Sequence, residues 1–479
     1  MVFSAEIEAF INDFVNELLE QNVAIFAGAG MSVERGFVDW RDLLKDIAVS
    51  LNLQVDRESD LILVAQFSEN EVGHRADLNK KILQDFTDEA ELGENHRILA
   101  RLPITTFWTT NYDTLIEDSL REANKRADVK HEPKQLSSTK PRRDAVVYKM
   151  HGDVDHPDDA IITKKQYQSY YLDHERFITA LAGDLVSKTF LFIGFSFTDP
   201  NLEYVLGRLN EPFAGAGKKH YTFLKRPARA DFKLKVEFDY AVKRQPLVIN
   251  ELKRYKITTL QIDKYEDITD VLREIEHRYR KHTVFISGSA EEYGSWNRFE
   301  AQEFIHKLSK EIIKARFTIV NGFGWGVGSA VINGALEAIV DNPKKYSDEQ
   351  LILRPFPQFK TGDKNLFELW QDYRERMIPL AGIGIFMFGN KLKEGVLINA
   401  DGVRKEFDIA IRHGLVPIPI GASGYETKLI FDDISSDPAK YYGPNKWIFP
   451  LIEEISRDGL RMDNIVKKVI SILKKLQEQ

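Results

Sequence analysis

The sequence predicts an α/β fold with two doubly wound parallel-sheet domains, residues 1–280 and 281–479. Three observations predict it. Short apolar, β-prone runs alternate with segments of helical periodicity, the pattern of strands joined by crossover helices. Most of these runs stop in a cluster of glycines or short polar residues, as buried parallel strands do at their carboxyl ends. The pattern then restarts. A charged helix, Asp267 to Arg280, leads into Thr283-Val284-Phe285-Ile286-Ser287-Gly288-Ser289, again a strand entering a small-residue loop.

In the first half, Ile7, Phe10, Ile11, Phe14, Val15, Leu18 and Leu19 recur at helical spacing behind a Ser4 cap. The run Val23 to Ala27 then breaks into Gly28-Ala29-Gly30-Met31-Ser32. Lacking a Cβ, Gly28 and Gly30 let backbone amides approach a ligand closely, and such amides suit a pyrophosphate. Asp39 is placed to cap a helix through Trp40, Leu43, Leu44 and Ile47, and Asp60 to Phe67 and Leu78 to Phe86 read as further helices. Ile104 to Thr109 is the next strand, rich in β-branched and aromatic residues, and ends in Thr110-Asn111-Tyr112-Asp113. A helix from Thr114 to Ala123 and a charged stretch follow. Ala145 to Met150 ends in His151-Gly152-Asp153, and Phe190 to Ile193 ends in Gly194-Phe195-Ser196-Phe197-Thr198-Asp199-Pro200. Ile257 to Ile262 is a fifth strand.

The ligand crevice of such a sheet lies outside the carboxyl ends of its strands. Gly28, Gly30 and Ser32, then Asn111 and Asp113, then His151, then Ser196 and Asp199 are therefore expected along one edge. Taken singly, Asn111 reads as a turn residue, His151 as a loop histidine, Asp113 as a helix cap and Asp199-Pro200 as a turn. Their joint placement reads as a site.

In the second half, a helix carries Phe299, Phe304, Ile305, Leu308, Ile312 and Ile313. Thr318-Ile319-Val320 enters the loop Asn321-Gly322-Phe323-Gly324-Trp325-Gly326-Val327-Gly328-Ser329. A loop this rich in glycine suits a nucleotide phosphate or, alternatively, a close strand–helix junction. Leu351 to Leu353, Ile383 to Phe388 and Val416 to Ile420 are further strands. Gly402 to His413 is a helix, and Ile465, Val466, Val469, Ile470, Leu473 and Leu476 mark the last one.

Of 479 residues, 43% are hydrophobic and 29% charged, the balance of a globular protein with sizeable cores. The net charge of -7 points to neither nucleic acid nor an anionic membrane surface. With no cysteine, disulfides, thiol nucleophiles and cysteine-held zinc or iron–sulfur sites are excluded. There is no signal-peptide pattern and no membrane-spanning apolar run, so a soluble cytoplasmic protein is expected.

Gly28-Ala29-Gly30-Met31-Ser32, Thr110-Asn111-Tyr112-Asp113 and His151-Gly152 together resemble the sirtuin set of a Gly-Ala-Gly loop, an Asn-x-Asp segment and a His-Gly pair. Gly194 to Leu202 resembles the sirtuin-like branch found in bacterial defence proteins. The resemblance implies NAD+ as substrate and cleavage of its nicotinamide–ribose bond without a metal. On that reading Asn111 and His151 are catalytic: Asn111 orients a ribose hydroxyl or water, and His151 serves as general base. Ala27, Gly28, Ala29, Gly30, Ser32, Asp113, Gly194 and Ser196 bind the dinucleotide. Two features depart from deacylating sirtuins: the four-cysteine zinc module is absent, and the Pro-Asp-Phe-Arg segment reads Val38-Asp39-Trp40-Arg41.

The second half resembles the SLOG family through Ser287-Gly288-Ser289 and the glycines from Gly322 to Gly328. The Pro-Gly-Gly-x-Gly-Thr loop of its enzymatic members is missing, so this half reads as a sensor. Sirtuin-like then SLOG, over essentially the whole chain, resembles the Thoeris anti-phage NADase effectors. That resemblance implies a homotetramer held through the sirtuin-like domains. It also implies activation by a cyclic ADP-ribose isomer made by a TIR-domain partner. The signal would contact Gly288, Ser289, Gly324, Gly326, Arg374, Lys391 and Glu406. The rival readings are an NAD-dependent protein deacylase, a non-catalytic nucleotide sensor and a phosphoribohydrolase in the second half.

Overall fold

The computed structural model describes residues 3–87, 90–195, 197, 202–203, 205–207, 218–360 and 362–478. They fall into two compact units, 1–276 and 277–479.

The first unit is built on seven strands: β1 Val23–Ala27, β2 Thr106–Thr109, β3 Ala127–Lys130, β4 Ala145–Lys149, β5 Thr189–Ile193, β6 His220–Lys225 and β7 Ile257–Ile262. All pair in parallel, in the order β3-β4-β2-β1-β5-β6-β7. From β1 the chain passes to β2, out to β3 at the edge and back to β4 between them, then crosses to β5 on the other side of β1. The winding reverses between β1 and β5, and a doubly wound sheet opens its crevice there.

Local signals set the helices. Ser4 Oγ accepts from Ile7 N at 3.3 Å and starts the helix Ala5–Leu19. Asp39 Oδ1 takes the N–H groups of Arg41 and Asp42, and Asp60 Oδ1 takes that of Leu63. Phe10 carries the first helix onto the sheet, its ring centroid 4.6 Å from that of Tyr221.

Two strands of this sheet were not expected. In β3, Asp128 and Lys130 read as a solvated charged stretch, but they are buried because they neutralise each other at 2.9 Å. In β6 the polar start His220-Tyr221-Thr222 masks an apolar position, and Tyr221 is buried through its contact with Phe10. The helix Lys235–Arg254 was also unforeseen, because it holds Pro246 in its interior.

The second unit contains β8 Thr283–Ser289, β9 Thr318–Asn321, β10 Leu351–Leu353, β11 Ile383–Phe388, β12 Asn390–Lys393, β13 Val396–Asn399 and β14 Val416–Pro419. Five of them form a parallel sheet in the order β10-β9-β8-β11-β14, whose winding reverses between β8 and β11. β12 and β13 form an antiparallel hairpin directly after β11. Its two-residue turn, Glu394-Gly395, has positive φ at both positions, as a tight hairpin requires. No helix of the described residues is long and apolar enough to cross a membrane.

Candidate functional site

Strand register brings the motifs of the first unit level. Ala27 stands opposite Thr109 on one side and Ile193 on the other, and Thr109 stands opposite Lys149. Four adjacent strands thus end in one row, and the segments beginning at Gly28, Thr110, Met150 and Gly194 leave from it together.

The glycine loop is stitched to β5. Gly28 N donates to Ile193 O at 2.9 Å, and Gly30 N to Gly194 O at 2.8 Å. A Cβ on Gly28 would stand 2.4 Å from Gly194 O, and one on Gly194, whose φ is +65°, 2.5 Å from Met31 N. This revises the expectation that these amides face a pyrophosphate. Both are already engaged, and the glycines are needed for backbone packing at the switch point. Ala29 O accepts from Ser32 N and Val33 N, which starts the short helix Gly30–Val33. Ser196 and Asp199 lie outside the described residues.

Ser32, Asn111 and Asp113 meet across 79 to 81 residues of sequence. Ser32 Oγ donates to Asp113 Oδ2 at 2.7 Å, and Asp113 Oδ1 accepts from Leu115 N at 3.1 Å. Asp113 thus caps the helix Leu115–Glu122 and holds Ser32, and each of its oxygens keeps a further lone pair. Asn111 Nδ2 donates to Ser32 Oγ at 2.9 Å and to Gly28 O at 3.1 Å. Both amide hydrogens are thereby used, and the network fixes which way the amide points. Among the described residues nothing donates to Asn111 Oδ1, so it is available to a hydroxyl or a water.

Lys149, overlooked in the sequence, underpins this corner. It is fully buried at the end of β4. Its ammonium donates to Tyr112 O at 3.0 Å and Asp113 O at 2.7 Å, and pairs with Asp153 at 2.5 Å and Glu117 at 3.2 Å. Burial disfavours the charge, but Glu117 and Asp153 outweigh it and hold the lysine above its ordinary value. Val154 N donates to the same Tyr112 carbonyl at 3.0 Å. The loops after β2 and β4 are thus tied together. The signal in the sequence was a lysine on a strand otherwise made of alanine, valine and tyrosine, two residues before His151.

His151 is buried in the loop after β4. Its ring lies edge-on to Tyr167, with centroids 5.3 Å apart and the hydroxyl 3.4 Å from Nδ1. Trp40 in turn packs against Tyr167 at 6.4 Å. Residues 38–41 therefore reach the histidine through Tyr167, which the sequence reading passed over. His96 and Arg35 were also missed. His96 is buried, its Nδ1 and Arg35 Nε have no hydrogen-bond partner among the described residues, and the Asp113 charge is felt at its ring.

In the second unit, Arg374, Lys391 and Glu406 gather around the helix Asp401–Arg412. Lys391 pairs with Asp401, and Arg374 Nη2 faces Gly402. Glu406 accepts from Ser287 Oγ at 2.6 Å and Arg374 Nε at 3.3 Å. Burial pushes the Glu406 carboxyl up, and Arg374 and Ser287 pull it back. Glu406 therefore holds Ser287 and Arg374 with one hydrogen bond on each oxygen, and each oxygen keeps a further lone pair. Arg374 lies over the Phe356 ring at 5.0 Å. The glycine run packs tightly on the end of β8. A Cβ on Gly324 would stand 1.9 Å from Gly288 O, and one on Gly326 1.9 Å from Ala290 O. Ser289 O accepts from Gly389 N, and Ser289 Oγ donates to Asn390 O. The close-junction reading of these glycines holds, with the Trp325 indole left exposed beside them.

Residues 105–259 match a family model described as a SIR2-like domain, and residues 267–476 match the Sir2- and TIR-associating SLOG family. Curated relatives named NAD(+) hydrolase ThsA match nearly end to end. That of Bacillus cereus strain MSX-D12 is 46% identical, covering 98% of both chains. That of Cytobacillus dafuensis is 44% identical over 98% of this chain and 97% of its own. That of Enterococcus faecium is 37% identical over 98% and 99%. With a SIR2-like sheet, a SLOG sheet and relatives of this identity along its whole length, the chain belongs to the ThsA family.

Proposed function

We propose that the first unit hydrolyses NAD+ to nicotinamide and ADP-ribose, and that the second unit gates it in response to a cyclic ADP-ribose isomer. The observation that carries the first part is the fixed Asn111 amide. Ser32 and Gly28 hold its two hydrogens, so Oδ1 is presented as an acceptor at the switch point. Nicotinamide is a cationic leaving group, and its departure leaves an oxocarbenium-like ribose. An acceptor fixed in advance orients the attacking water or the ribose hydroxyl beside it without further ordering at the moment of reaction. His151, on the adjoining strand end, takes the proton as water adds. The names of the relatives support the same chemistry. A deacylase is disfavoured because the chain has no cysteine to build the zinc module of that class.

For the second part, Arg374, Lys391 and the β8 loop frame the signal site. Arg374 and Lys391 supply positive charge for its phosphates, while Glu406 orients Arg374. The signal is made by a TIR-domain partner, the protein works in the cytoplasm as a homotetramer, and its output is NAD+ depletion during phage infection. Binding shifts the population towards a form with an open crevice by its higher affinity for that form.

Nicotinamide release from NAD+ by the full chain, with and without cyclic ADP-ribose isomers, tests both parts. Asn111→Ala and His151→Ala are each expected to reduce release at least a hundredfold while the melting transition stays cooperative. Full release by both variants refutes the catalytic assignment, and equal release with and without every isomer refutes the gate.

A further inference from the structure

The loops after β3 and β4 meet through two histidines. His131 directly follows β3, and its ring stacks on that of His156, with centroids 4.4 Å apart and planes 11° from parallel. His156 belongs to the loop that carries His151. Its N–H bonds to Asp153 O at 3.0 Å, and Ile161 N closes that loop on His151 O at 2.8 Å. The stack thus fastens the loop of His151 to the neighbouring strand end.

Hydrogen bonding fixes the charge state of His131. Gln135 Oε1 accepts from His131 N at 2.8 Å and from Glu132 N at 3.1 Å, so its NH2 group is the end that faces the ring. That group is a donor only, and it stands 2.9 Å from His131 Nε2. His131 Nε2 therefore accepts, and the ring is neutral. Its proton sits on Nδ1, which is buried without a hydrogen-bond partner among the described residues. A second proton would set donor against donor and, with His156 also charged, cation against cation. The surrounding groups divide. Burial, His156 and Lys149 disfavour the charged ring, while Asp153 and Glu132 favour it; burial prevails and holds His131 below its ordinary value. Glu132 is itself paired with Lys134. On the far side of the stack, Asp155, Asp158 and Asp159 share the loop of His156, and Arg75 donates to Pro157 O at 2.8 Å.

We propose that His131, Gln135 and His156 form an acid-released clasp that holds the loop of His151 in place at neutral pH. Protonation of His131 expels the Gln135 amide, which frees the two N–H groups held by Oε1, and the stack parts. The unfolded chain takes this proton more readily than the folded one. The clasp therefore contributes fully above about pH 6.5 and is lost as pH falls below it. Its effect on NAD+ cleavage rests on the hydrolase reading; the clasp itself does not.

Gln135→Glu is the test. One carboxylate oxygen keeps both backbone N–H groups, and the other accepts from a protonated ring. Melting temperature and nicotinamide release are measured for the full chain at about pH 7.5 and about pH 5.5, on either side of the ordinary histidine range. Other titrating groups cancel between parent and variant. The variant-minus-parent melting difference should rise by about 3 °C or more on acidification. The fraction of release kept at the lower pH should exceed the parent's about threefold or more. A melting difference that stays within about 1 °C overturns the clasp. A shifted melting difference with equal retained fractions overturns its hold on the loop of His151. His156→Phe keeps a stacked ring without the second charge, and its melting difference should move the same way by about half as much. If Gln135→Glu does not fold, an unmoved His156→Phe overturns the proposal. A parent that releases no nicotinamide at either pH refutes the hydrolase reading, and melting alone then decides the clasp.

Discussion

Replacing Lys149 by methionine tests whether the site is held from below. The substitution keeps most of the side-chain volume and removes only the ammonium. Glu117 and Asp153 are then two buried carboxylates without their cation, and the Asp113 carbonyl loses the donor at 2.7 Å. Breaking a buried pair from one side costs about 3–5 kcal/mol. Protonation of Glu117, which burial already favours, relieves part of this, so about 4 kcal/mol is expected. At roughly 2–4 °C per kcal/mol for a unit of this size, the melting transition falls by about 10 °C. Lys149→Met with Glu117→Gln should recover about half of that, because one buried charge is gone. Activity should not recover, since the Tyr112 and Asp113 carbonyls still lack the ammonium that fixes the Asn111 loop. The assay is thermal unfolding of the full chain in parallel with nicotinamide release. A single variant that melts within 2 °C of the parent and keeps its rate refutes the reasoning.

Arg374→Ala should abolish the response to the signal and also destabilise the second unit by about 3 kcal/mol, because Glu406 is left buried without its cation. Arg374→Ala with Glu406→Gln should restore the melting temperature but not the response. A double variant that responds like the parent would place the signal elsewhere. His220 governs acid lability. Burial, helped by Lys256, lowers it to about 4, and its Nδ1 accepts from Phe190 N at 3.2 Å only while neutral. The unfolded chain binds this proton below about pH 6.5 and the folded chain only near 4. Its contribution is therefore complete above 6.5 and is lost as pH falls through that window, about 3 kcal/mol in all. His220→Asn keeps an acceptor and should flatten stability against pH between 6.5 and 4. An unaltered slope, measured by urea unfolding, would contradict this.

Much of the fold was legible because most of its strands are largely buried and announce themselves as apolar runs. β1, β2, β4, β5, β7 and the five strands of the second sheet were read this way. β3 was hidden because Asp128 and Lys130 count as solvent-facing until each is seen to cancel the other. Asn111 and His151 were singled out because they stand directly after such runs. Lys149, Tyr167, Arg35 and His96 were missed because nothing near them in sequence reveals their partners. Glu117, Asp153 and the Tyr112 carbonyl make sense of Lys149 only once the helix after β2 and the loop after β4 are brought together.

By itself, the sequence determined where strands end, and hence which segments share the carboxyl edge of each sheet, because burial periodicity and glycine placement are local properties. Tertiary structure alone decided what those segments do there. It turned the Gly28 and Gly30 amides towards β5, set Asp113 on Ser32 and Glu406 on Ser287 and Arg374, and oriented the Asn111 amide. Hydrogen-bonding capacity is finite, and which donors and acceptors remain for a ligand is known only after the chain has satisfied its own.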